Sequence, residues 1–309
     1  MTEKISIIIP CKKIDSQTKK CILECLKLDY SNFEIIVLPD NSDKVKYPKI
    51  VKIISTGLVK PSIKRNIAMD KSNSEFFAFI DSDAYPKKDW LKNAIKYFKN
   101  DKIGIVGGPN LTPSEGNFWE KISGYTLSNF FVSGKASIRY KISNNQFVTE
   151  LPSCNYITRN KAAEKYDSNF LTAEDTKFCF SARKKGYKIL YANDVIVFHH
   201  RRDSLKKHLK QMFVYGRDNL WLLKKEFSIN KLHFLITLIG IIGFLLGIIF
   251  SFFNPVIRII FPILITISLF MILFTSIHKS IKITFFVFIT SVLTLFAHGL
   301  GSLYGLISK

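Results

Sequence analysis

The sequence predicts an α/β domain with a mostly parallel sheet, followed by an amphipathic helix and three transmembrane helices. Three observations predict this architecture. The first 110 residues alternate short apolar segments with segments of helical period. Residues 204–227 place apolar side chains on one face of a helix and basic side chains on the other. Residues 231–309 contain no acidic residue and five Lys or Arg, which is the composition of membrane-embedded chain.

Short continuous apolar segments predict strands that are buried on both faces of a parallel sheet. The predicted strands in the first part of the chain are 5–11, 33–38, 51–55, 76–80 and 103–106. The predicted helices between them are 15–28, 61–71 and 88–99. Residues 110–150 contain Gly116, Gly124 and Gly134, and we expect loops over a cleft there. The remaining predicted elements are a strand at 150–158, a helix at 173–185 and strands at 188–191 and 195–198.

Three apolar segments predict membrane spans, because each is long enough to cross a hydrocarbon core of about 30 Å. They are His233–Phe253, Ile259–Ile277 and Ile283–Ile307. The alternative is a buried helical bundle in a soluble protein, but these segments lack the polar face that such helices show. Lys279 and Lys282 fall on the same side as the N-terminal domain and favour the cytoplasm for both, whereas Arg258 opposes this orientation.

We therefore expect a multi-pass protein of the cell membrane with three parts. These are an α/β domain at residues 1–202, an interfacial helix at 203–230 and a membrane domain at 231–309. The apolar start at Ile5–Pro10 is too short for a signal-peptide core, which places the large domain in the cytoplasm. The five cysteines agree, since they form no CxxC pair or metal-binding spacing and free thiols are typical of a reducing compartment.

The chain is strongly basic, with a net charge of +21. Residues 1–230 hold 40 basic and 24 acidic residues, so most of the excess lies there. We do not expect nucleic-acid binding, because the charge is spread along the chain and a basic face beside the membrane explains it. The basic face of residues 204–227 is expected to contact anionic lipid headgroups. The alternative for this helix is packing against the globular domain.

Acidic and glycine residues follow the predicted strands at the points where the strands end. Asp81-Ser82-Asp83 follows the apolar segment 77–80, Asp40 follows another strand, and Gly107-Gly108 follows a third. Ligands of parallel α/β sheets sit beyond the carboxyl ends of the strands. Two carboxylates at positions i and i+2 of a strand end point to the same side, and such oxygens suit Mg²⁺ or Mn²⁺. An acidic turn without a metal is the alternative.

Basic residues occur where phosphate can be bound. Lys64 and Arg65 lie at the start of a predicted helix, where cations and backbone amides can clamp a diphosphate. A solvated basic face is the alternative. His199-His200-Arg201-Arg202 ends a strand; imidazole can ligate a metal and Arg can pair with phosphate, but a patch binding lipid headgroups fits equally. Glu174-Asp175 opens another predicted helix, whose dipole keeps a carboxylate ionised and suited to act as a base; ordinary capping is the alternative.

The order of these motifs resembles that of the family 2 glycosyltransferases, which have a GT-A fold. The resemblance covers residues 4–200, roughly two-thirds of the chain. It is carried by Ser6–Pro10, Phe33–Asp40, Lys64–Ala68, Ala78–Ala84 and Ala173–Thr176. One family feature is absent: the segment beginning at Gln211 lacks the Arg-Trp ending found in processive polysaccharide synthases, which makes a polymer-extruding enzyme less expected.

The resemblance implies roles for particular residues. Asp175 is expected to be the catalytic base that deprotonates the acceptor hydroxyl. The resemblance also implies that Asp83 ligates the cation and that Asp40 and Asp81 contact the nucleotide. The residue types themselves add His199 as a ligand of Mg²⁺ or Mn²⁺, with the choice between His199 and His200 left open. The further expected donor-binding residues are Pro10, Lys64, Arg65 and Arg201.

The resemblance further implies a metal-dependent glycosyltransferase that moves a sugar from a nucleotide-sugar donor to an acceptor hydroxyl with inversion. The predicted spans place the acceptor at the membrane surface or on a lipid carrier. The alternative is a catalytically inactive membrane scaffold with a degenerate transferase domain. The retained Asp81, Asp83 and Asp175 argue against that alternative.

Overall fold

The structure, a computed structural model, describes residues 3–42, 46–169, 172–225, 232 and 235–308. The chain forms two compact units. The first unit contains the residues up to Pro113 together with Lys141–His200. The second unit contains Ser114–Tyr140 and the residues from Arg201 onward.

The first unit is built on an eight-stranded sheet and a three-stranded sheet. The strands are β1 (Ile5–Pro10), β2 (Phe33–Leu38), β3 (Val51–Ile53), β4 (Phe76–Phe79), β5 (Ala84–Pro86), β6 (Ile103–Gly107), β7 (Asn110–Leu111), β8 (Gln146–Val148), β9 (Tyr156–Arg159), β10 (Lys188–Tyr191) and β11 (Val197–His199). The large sheet has the order β3-β2-β1-β4-β9-β6-β10-β8, and the small sheet has the order β5-β11-β7.

The first four strands of the large sheet are parallel, as predicted, and so are β6 and β10. Strand β9 runs antiparallel to both of its neighbours, β4 and β6. The isoleucines of β1 are fully buried, which is the environment that a continuous apolar strand requires. Burying one such side chain stabilises the fold by roughly 1.5–3 kcal/mol.

Ten helices are present in the described part of the chain. Those of the first unit are α1 (Ser16–Cys25), α2 (Pro61–Asp70), α3 (Trp90–Ile95) and α6 (Glu174–Lys184). Those of the second unit are α4 (Phe118–Ser128), α5 (Phe130–Ser133), α7 (Leu205–Lys225), α8 (Leu235–Phe253), α9 (Pro255–Thr275) and α10 (Ile281–Ile307). Asp15 begins α1 by accepting a hydrogen bond from the backbone N–H of Thr18 at 3.0 Å, and Pro61 occupies the first turn of α2.

The prediction of loops throughout residues 110–150 is wrong, because α4 and α5 lie within this range. Asn117 caps α4 by a reciprocal pair of hydrogen bonds with Glu120, and Asn129 begins α5. The glycines misled the sequence interpretation. Gly116 and Gly134 flank the helices, while Gly124 is a small buried residue inside α4. The predicted strand at 150–158 is likewise shorter in the structure, where β9 begins at Tyr156.

Among the residues that the structure describes, three helices are long and apolar enough to cross a membrane, which confirms the predicted spans. They are α8, α9 and α10. The predicted start of the first span, His233, lies outside the described residues. Helix α9 begins earlier than predicted, because the side chain of Asn254 accepts hydrogen bonds from the N–H groups of Val256 and Ile257. Pro255 then fits the first helical position.

Helix α7 packs along α10 within the second unit. Gly216 of α7 lies against the backbone of His298, while Gly301 and Gly305 of α10 lie against the backbone of Phe213 and Arg217. Glycine allows two helix backbones to approach closely, as in membrane-embedded helix pairs. The last two residues of the predicted helix 204–227 lie outside the described residues. Its contact with anionic lipid headgroups stays a prediction.

Candidate active site

The carboxyl ends of β1, β2 and β4 lie side by side in the large sheet, because these strands are parallel neighbours. Asp40 lies two residues beyond β2, and Asp81 and Asp83 lie just beyond β4. Strand order therefore explains why acids that are about 40 positions apart in sequence belong to one edge of the sheet.

Asp81, Asp83 and His199 form a group whose ligand atoms all lie within 4.8 Å of one another. Strand β11 brings His199 to this place, since it pairs antiparallel with β5, which begins just after Asp83. The Nε2 atom of His199 lies 3.0 Å from Oδ1 of Asp83. Two carboxylates and one imidazole are suitable ligands for a divalent cation such as Mg²⁺ or Mn²⁺.

His199, and not His200, belongs to this group. The ring of His200 lies 6.3 Å from the ring of Tyr85, while its backbone N–H donates to the carbonyl of Asp83 at 3.0 Å. Burial lowers the pKa of His199, but charge interactions and hydrogen bonds with Asp83 and Cys154 together outweigh burial and raise this pKa to about 10. The proton held there is one that a bound cation would displace, because a ligating imidazole is neutral.

Arg65 is a buried cation that connects two acidic segments. Its Nη2 donates to Oδ1 of Asp81 at 2.8 Å, and its Nη1 donates to Oε1 of Glu174 at 3.3 Å. The guanidinium carbon also lies 5.3 Å from the centre of the Tyr166 ring. The Arg65 side chain is 4% exposed, so it is held by these partners in surroundings with little water.

Glu174 begins α6 and is itself buried. Burial and then the charge of Asp175 raise the pKa of Glu174 to about 7, against the opposing effect of Arg65. Among the described residues, Oε2 of Glu174 and Nε of Arg65 are buried without a hydrogen-bond partner. These two atoms are polar groups that a ligand or water can satisfy.

Asp175 lies in the first turn of α6. Its Oδ1 accepts a hydrogen bond from the N–H of Thr176 at 2.8 Å, and its Oδ2 accepts one from the N–H of Ser153 at 3.3 Å. Two backbone N–H groups therefore orient this carboxylate at the start of the helix. A carboxylate oriented in this way is a candidate for a general base.

Lys64 holds the ends of β1 and β2 together. Its Nζ donates to the carbonyl of Cys11 at 2.7 Å and to that of Leu38 at 3.1 Å, and it forms an ion pair with Asp40. These three partners match the three donors of an ammonium group. Lys64 orients Asp40 in this arrangement, and direct contact of Lys64 or Asp40 with a donor stays a prediction. Pro10, the last residue of β1, is buried opposite Leu38.

Arg201 belongs to the second unit. Its guanidinium carbon lies 4.9 Å from the centre of the Tyr140 ring, which is a cation–π contact. Its predicted role in donor binding stays a prediction.

The sequence interpretation missed Asn155, which fixes the loops beside the site. Its Oδ1 accepts from Nε1 of Trp90 at 2.8 Å, and its Nδ2 donates to the carbonyls of Pro109 and Val195 at 3.0 and 2.8 Å. These partners are 40 to 65 positions away in sequence, so no local pattern marks this asparagine. Gly107 and Gly108 lie close to the backbone of these loops. A Cβ atom at Gly107 would collide with the carbonyl oxygen of Asn155, and one at Gly108 would collide with those of Ala192 and Val195.

A mostly parallel α/β sheet with carboxylates gathered beyond its strand ends is an arrangement in which ligands bind at that edge of the sheet. The chain belongs to glycosyl transferase family 2, whose family model matches residues 6–166. It is therefore a glycosyltransferase, as the motifs predicted.

Among the relatives that match most of the chain are two glycosyltransferases. One is the dolichyl N-acetyl-alpha-D-glucosaminyl phosphate 3-beta-D-2,3-diacetamido-2,3-dideoxy-beta-D-glucuronosyltransferase of Methanococcus voltae. It is 26% identical, and the match covers 91% of this chain and 96% of that protein. The other is glycosyltransferase AglE of Haloferax volcanii, which is 23% identical over 78% of this chain and 81% of its own length.

One solved structure resembles the whole chain. It is the mannosyltransferase PcManGT from Pyrobaculum calidifontis in complex with GDP-Man and Mn²⁺. The TM-score is 0.61 at 10% sequence identity, and the match covers 100% of this chain and 88% of that one. This likeness concerns the fold, and it confirms the predicted GT-A architecture followed by membrane helices.

Proposed function

We propose that this glycosyltransferase moves a sugar from a nucleotide-sugar donor to a hydroxyl group of a lipid-linked acceptor at the membrane surface. The observation that carries the proposal is the meeting of Asp81, Asp83 and His199 beyond the sheet, with Arg65 linking Asp81 to the helix that carries Asp175. This arrangement combines a cation-binding group with a carboxylate suited to act as a base.

The relatives support the choice of donor and acceptor. The name of the Methanococcus voltae relative describes transfer to a sugar carried on dolichyl phosphate, and the Pyrobaculum calidifontis structure holds GDP-Man. The three candidate membrane helices of this chain provide the means to work beside a lipid carrier. A lipid-linked acceptor agrees with the name of the Methanococcus voltae relative and with the membrane helices of this chain.

In the proposed reaction, the acceptor hydroxyl attacks the anomeric carbon while the bond to the nucleoside diphosphate breaks, and the configuration inverts. Asp175 accepts the hydroxyl proton. Arg65 keeps Asp81 and Glu174 in place, and Lys64 keeps Asp40 in place beside the same strand ends.

The residues fit a divalent cation, which Asp83 and His199 would hold together with Asp81. Such a cation, when bound, supplies positive charge that stabilises the diphosphate leaving group. The donor set of two carboxylates and one imidazole is compatible with Mg²⁺ or Mn²⁺.

The proposal includes the arrangement in the membrane. Lys279 and Lys282 lie in and just after the turn between α9 and α10, and a cytoplasmic position for this turn follows the distribution of positive charge in membrane proteins. We place the catalytic unit on the same side. The division into a transferase domain at 1–202, an interfacial helix at 203–230 and a membrane domain at 231–309 belongs to this proposal.

An inactive scaffold is not favoured. Asp81, Asp83 and His199 lie within ligand distance of one another, and Asp175 is present in the first turn of α6. A degenerate transferase domain is not expected to contain both features.

Transfer by the full chain in detergent or nanodiscs tests the proposal. The purified protein would be mixed with a panel of nucleotide sugars and with either a polyprenyl-phosphate-linked sugar or the same sugar without its lipid, with and without Mn²⁺. We expect one donor to be used, the lipid-linked acceptor to be preferred, and chelation to abolish transfer. Equal use of both acceptors would contradict the lipid-linked acceptor, and transfer unaffected by chelation would contradict the cation.

A further inference from the structure

Residues 114–140 interrupt the first unit between β7 and β8 and fold as part of the second unit. They form α4 and α5, followed by a 3₁₀ turn at Gly134–Tyr140. Both ends of this segment continue covalently into the first unit. The sequence interpretation found no function for it, and the proposed reaction uses none of its residues.

One side of α4 and α5 is attached to the turn between α9 and α10. The ring of Tyr125 lies 4.4 Å from that of His278, and Nδ2 of Asn129 lies 3.4 Å from Oγ of Ser276. Trp119 also packs against Phe286 in the first turns of α10, with 5.6 Å between the ring centres. A turn between two membrane spans cannot lie in the hydrocarbon core, since its backbone groups need partners. It therefore marks a membrane surface, and α4 and α5 lie at the level of that surface.

A buried histidine fixes which side of α4 faces inward. His208 of α7 is 1% exposed, and it is bonded on one ring nitrogen to Oγ of Ser123 and on the other to Oγ1 of Thr294, both at 2.8 Å. Burial, together with the charge of Arg202, lowers the pKa of His208 to about 4, so the ring is neutral. This connection of α4, α7 and α10 leaves the opposite side of α4 to face outward.

The exposed aromatic side chains of the segment form an aromatic patch. It consists of Phe118 and Tyr125, whose rings also contact those of Phe286 and His278, and of Phe130 and Phe131, whose ring centres lie 6.0 Å apart. The exposed fractions of the four patch residues, in sequence order, are 36%, 38%, 58% and 39%. The ammonium group of Lys282 lies 5.3 Å from the centre of the Phe118 ring. Large exposed aromatic groups next to cations are the composition of a surface that enters the boundary between lipid headgroups and acyl chains.

We propose that the aromatic patch inserts into the headgroup–acyl boundary of an anionic bilayer. The segment 114–140 then contacts the membrane separately from the three spans. Because both ends of this segment continue into the first unit, it gives that unit a second attachment to the membrane in addition to its C-terminal connection. Continuity with the α9–α10 turn selects the bilayer as the partner, because the patch is fixed to residues that lie at the membrane surface.

Fluorescent labelling of the full chain in nanodiscs tests this inference. The five native cysteines are buried, so an introduced exposed cysteine can be labelled selectively, with the unmodified chain as the labelling blank. An environment-sensitive dye would be placed at Phe130→Cys and, in a second protein, at Phe131→Cys. The matched control is Leu23→Cys on α1, where the native side chain is 56% exposed. The nanodiscs would contain phosphatidylcholine and phosphatidylglycerol with or without brominated acyl chains.

We expect the dye at position 130 or 131 to emit at shorter wavelength than at position 23. It should also be quenched by brominated acyl chains and protected from iodide in the water. Quenching no stronger than at position 23 would overturn the inference. Emission that changes with the number of protein chains per disc, but not with bromination, would overturn it in favour of a contact between two copies.

Discussion

Arg65 and Asp81 form an ion pair with a nitrogen–oxygen distance of 2.8 Å, and the same guanidinium reaches Glu174 at 3.3 Å. A single buried cation therefore joins the loop after β4 to the first turn of α6. This contact fixes the position of the loop that carries the proposed cation ligands relative to the helix that carries the proposed base. The catalytic geometry consequently depends on a residue that need not touch the reacting atoms.

Replacing Arg65 tests this connection. Arg65→Met removes the cation and leaves the carboxylates of Asp81 and Glu174 unpaired, so we expect a loss of stability of about 3–5 kcal/mol together with loss of transfer. Arg183→Met, at the end of the same helix α6, is the matched control and should change little. Unfolding of the detergent-solubilised proteins by denaturant measures the difference. Equal stability of the two variants would contradict a structural role for the Arg65 pairs.

The proposed cation site makes a prediction about two adjacent histidines. His199→Ala removes an imidazole from the group with Asp81 and Asp83, whereas His200→Ala removes one that lies outside this group. We expect Mn²⁺ to raise the affinity for a nucleoside diphosphate in the wild type and in His200→Ala, and to raise it much less in His199→Ala and Asp83→Asn. Calorimetric titration of the diphosphate with and without Mn²⁺ measures this. Identical behaviour of the two histidine variants would show that His199 is not a ligand of the cation.

The assignment of the base predicts the effect of one amide substitution. Asp175→Asn keeps the shape of the side chain but cannot accept the proton, so the rate of transfer should fall by about 10²–10⁴. Affinity for the donor should change little, because the proposed cation ligands are unaltered. Asp70→Asn, at an exposed carboxylate of α2, serves as the control for loss of one negative charge. Steady-state rates and donor titrations on the same preparations separate the two effects, and a fully active Asp175→Asn enzyme would exclude this residue as the base.

Much of the site was predictable because it depends on local patterns. The apolar segments leading to Asp40 and Asp81 identify buried strands, and parallel strands bring their carboxyl ends together. The pairing of Arg65 with Glu174 was not predictable, since 109 positions separate them and only the packed fold sets their distance. The choice between His199 and His200 was open for a related reason: it depends on which face of β11 turns toward Asp83, and β11 has three residues, too few for a pattern.

The least predictable part was the segment 114–140. Its helices are short, and they are stabilised by contacts with distant residues such as Ser276 and Phe286 rather than by a strong pattern of their own. Glycines in such a segment indicate loops when tertiary contacts are unknown. Two strands of the small sheet, β5 and β7, were missed for the same reason, because they contain three and two residues; the third, β11, overlaps the predicted strand 195–198.

Glu174 predicts a pH dependence of stability. Its carboxyl group has an ordinary pKa near 4.5, which burial first and the charge of Asp175 second raise to about 7 in the folded chain. A carboxyl with a raised pKa binds its proton more tightly in the folded state, so its favourable contribution is present at low pH and is lost as the pH rises from about 4.5 to about 7. Glu174→Gln does not ionise and lacks this dependence.

We therefore expect the unfolding temperature of the wild type to fall relative to that of Glu174→Gln as the pH rises through this interval. Above about pH 7 the difference between the two unfolding temperatures should no longer change with pH. Glu164→Gln, at a carboxylate whose side chain is 44% exposed, is the control. A difference between wild type and Glu174→Gln that is constant with pH would contradict the raised pKa.

The packing of α7 on α10 predicts different consequences for two glycine substitutions in the second unit. A Cβ atom at Gly216 would collide with the carbonyl oxygen of His298, whereas a Cβ atom at Gly243 of α8 would meet nothing within 4 Å. Relieving a collision with backbone requires the helices to separate, and overpacking typically costs about 1–3 kcal/mol. Gly216→Val should therefore lower the unfolding temperature and yield less monodisperse protein in detergent. Gly243→Val carries the same change in a helix and should behave as the wild type. Thermal unfolding and size-exclusion chromatography of the two variants measure the outcome, and equal behaviour would mean that α7 does not depend on close contact with α10.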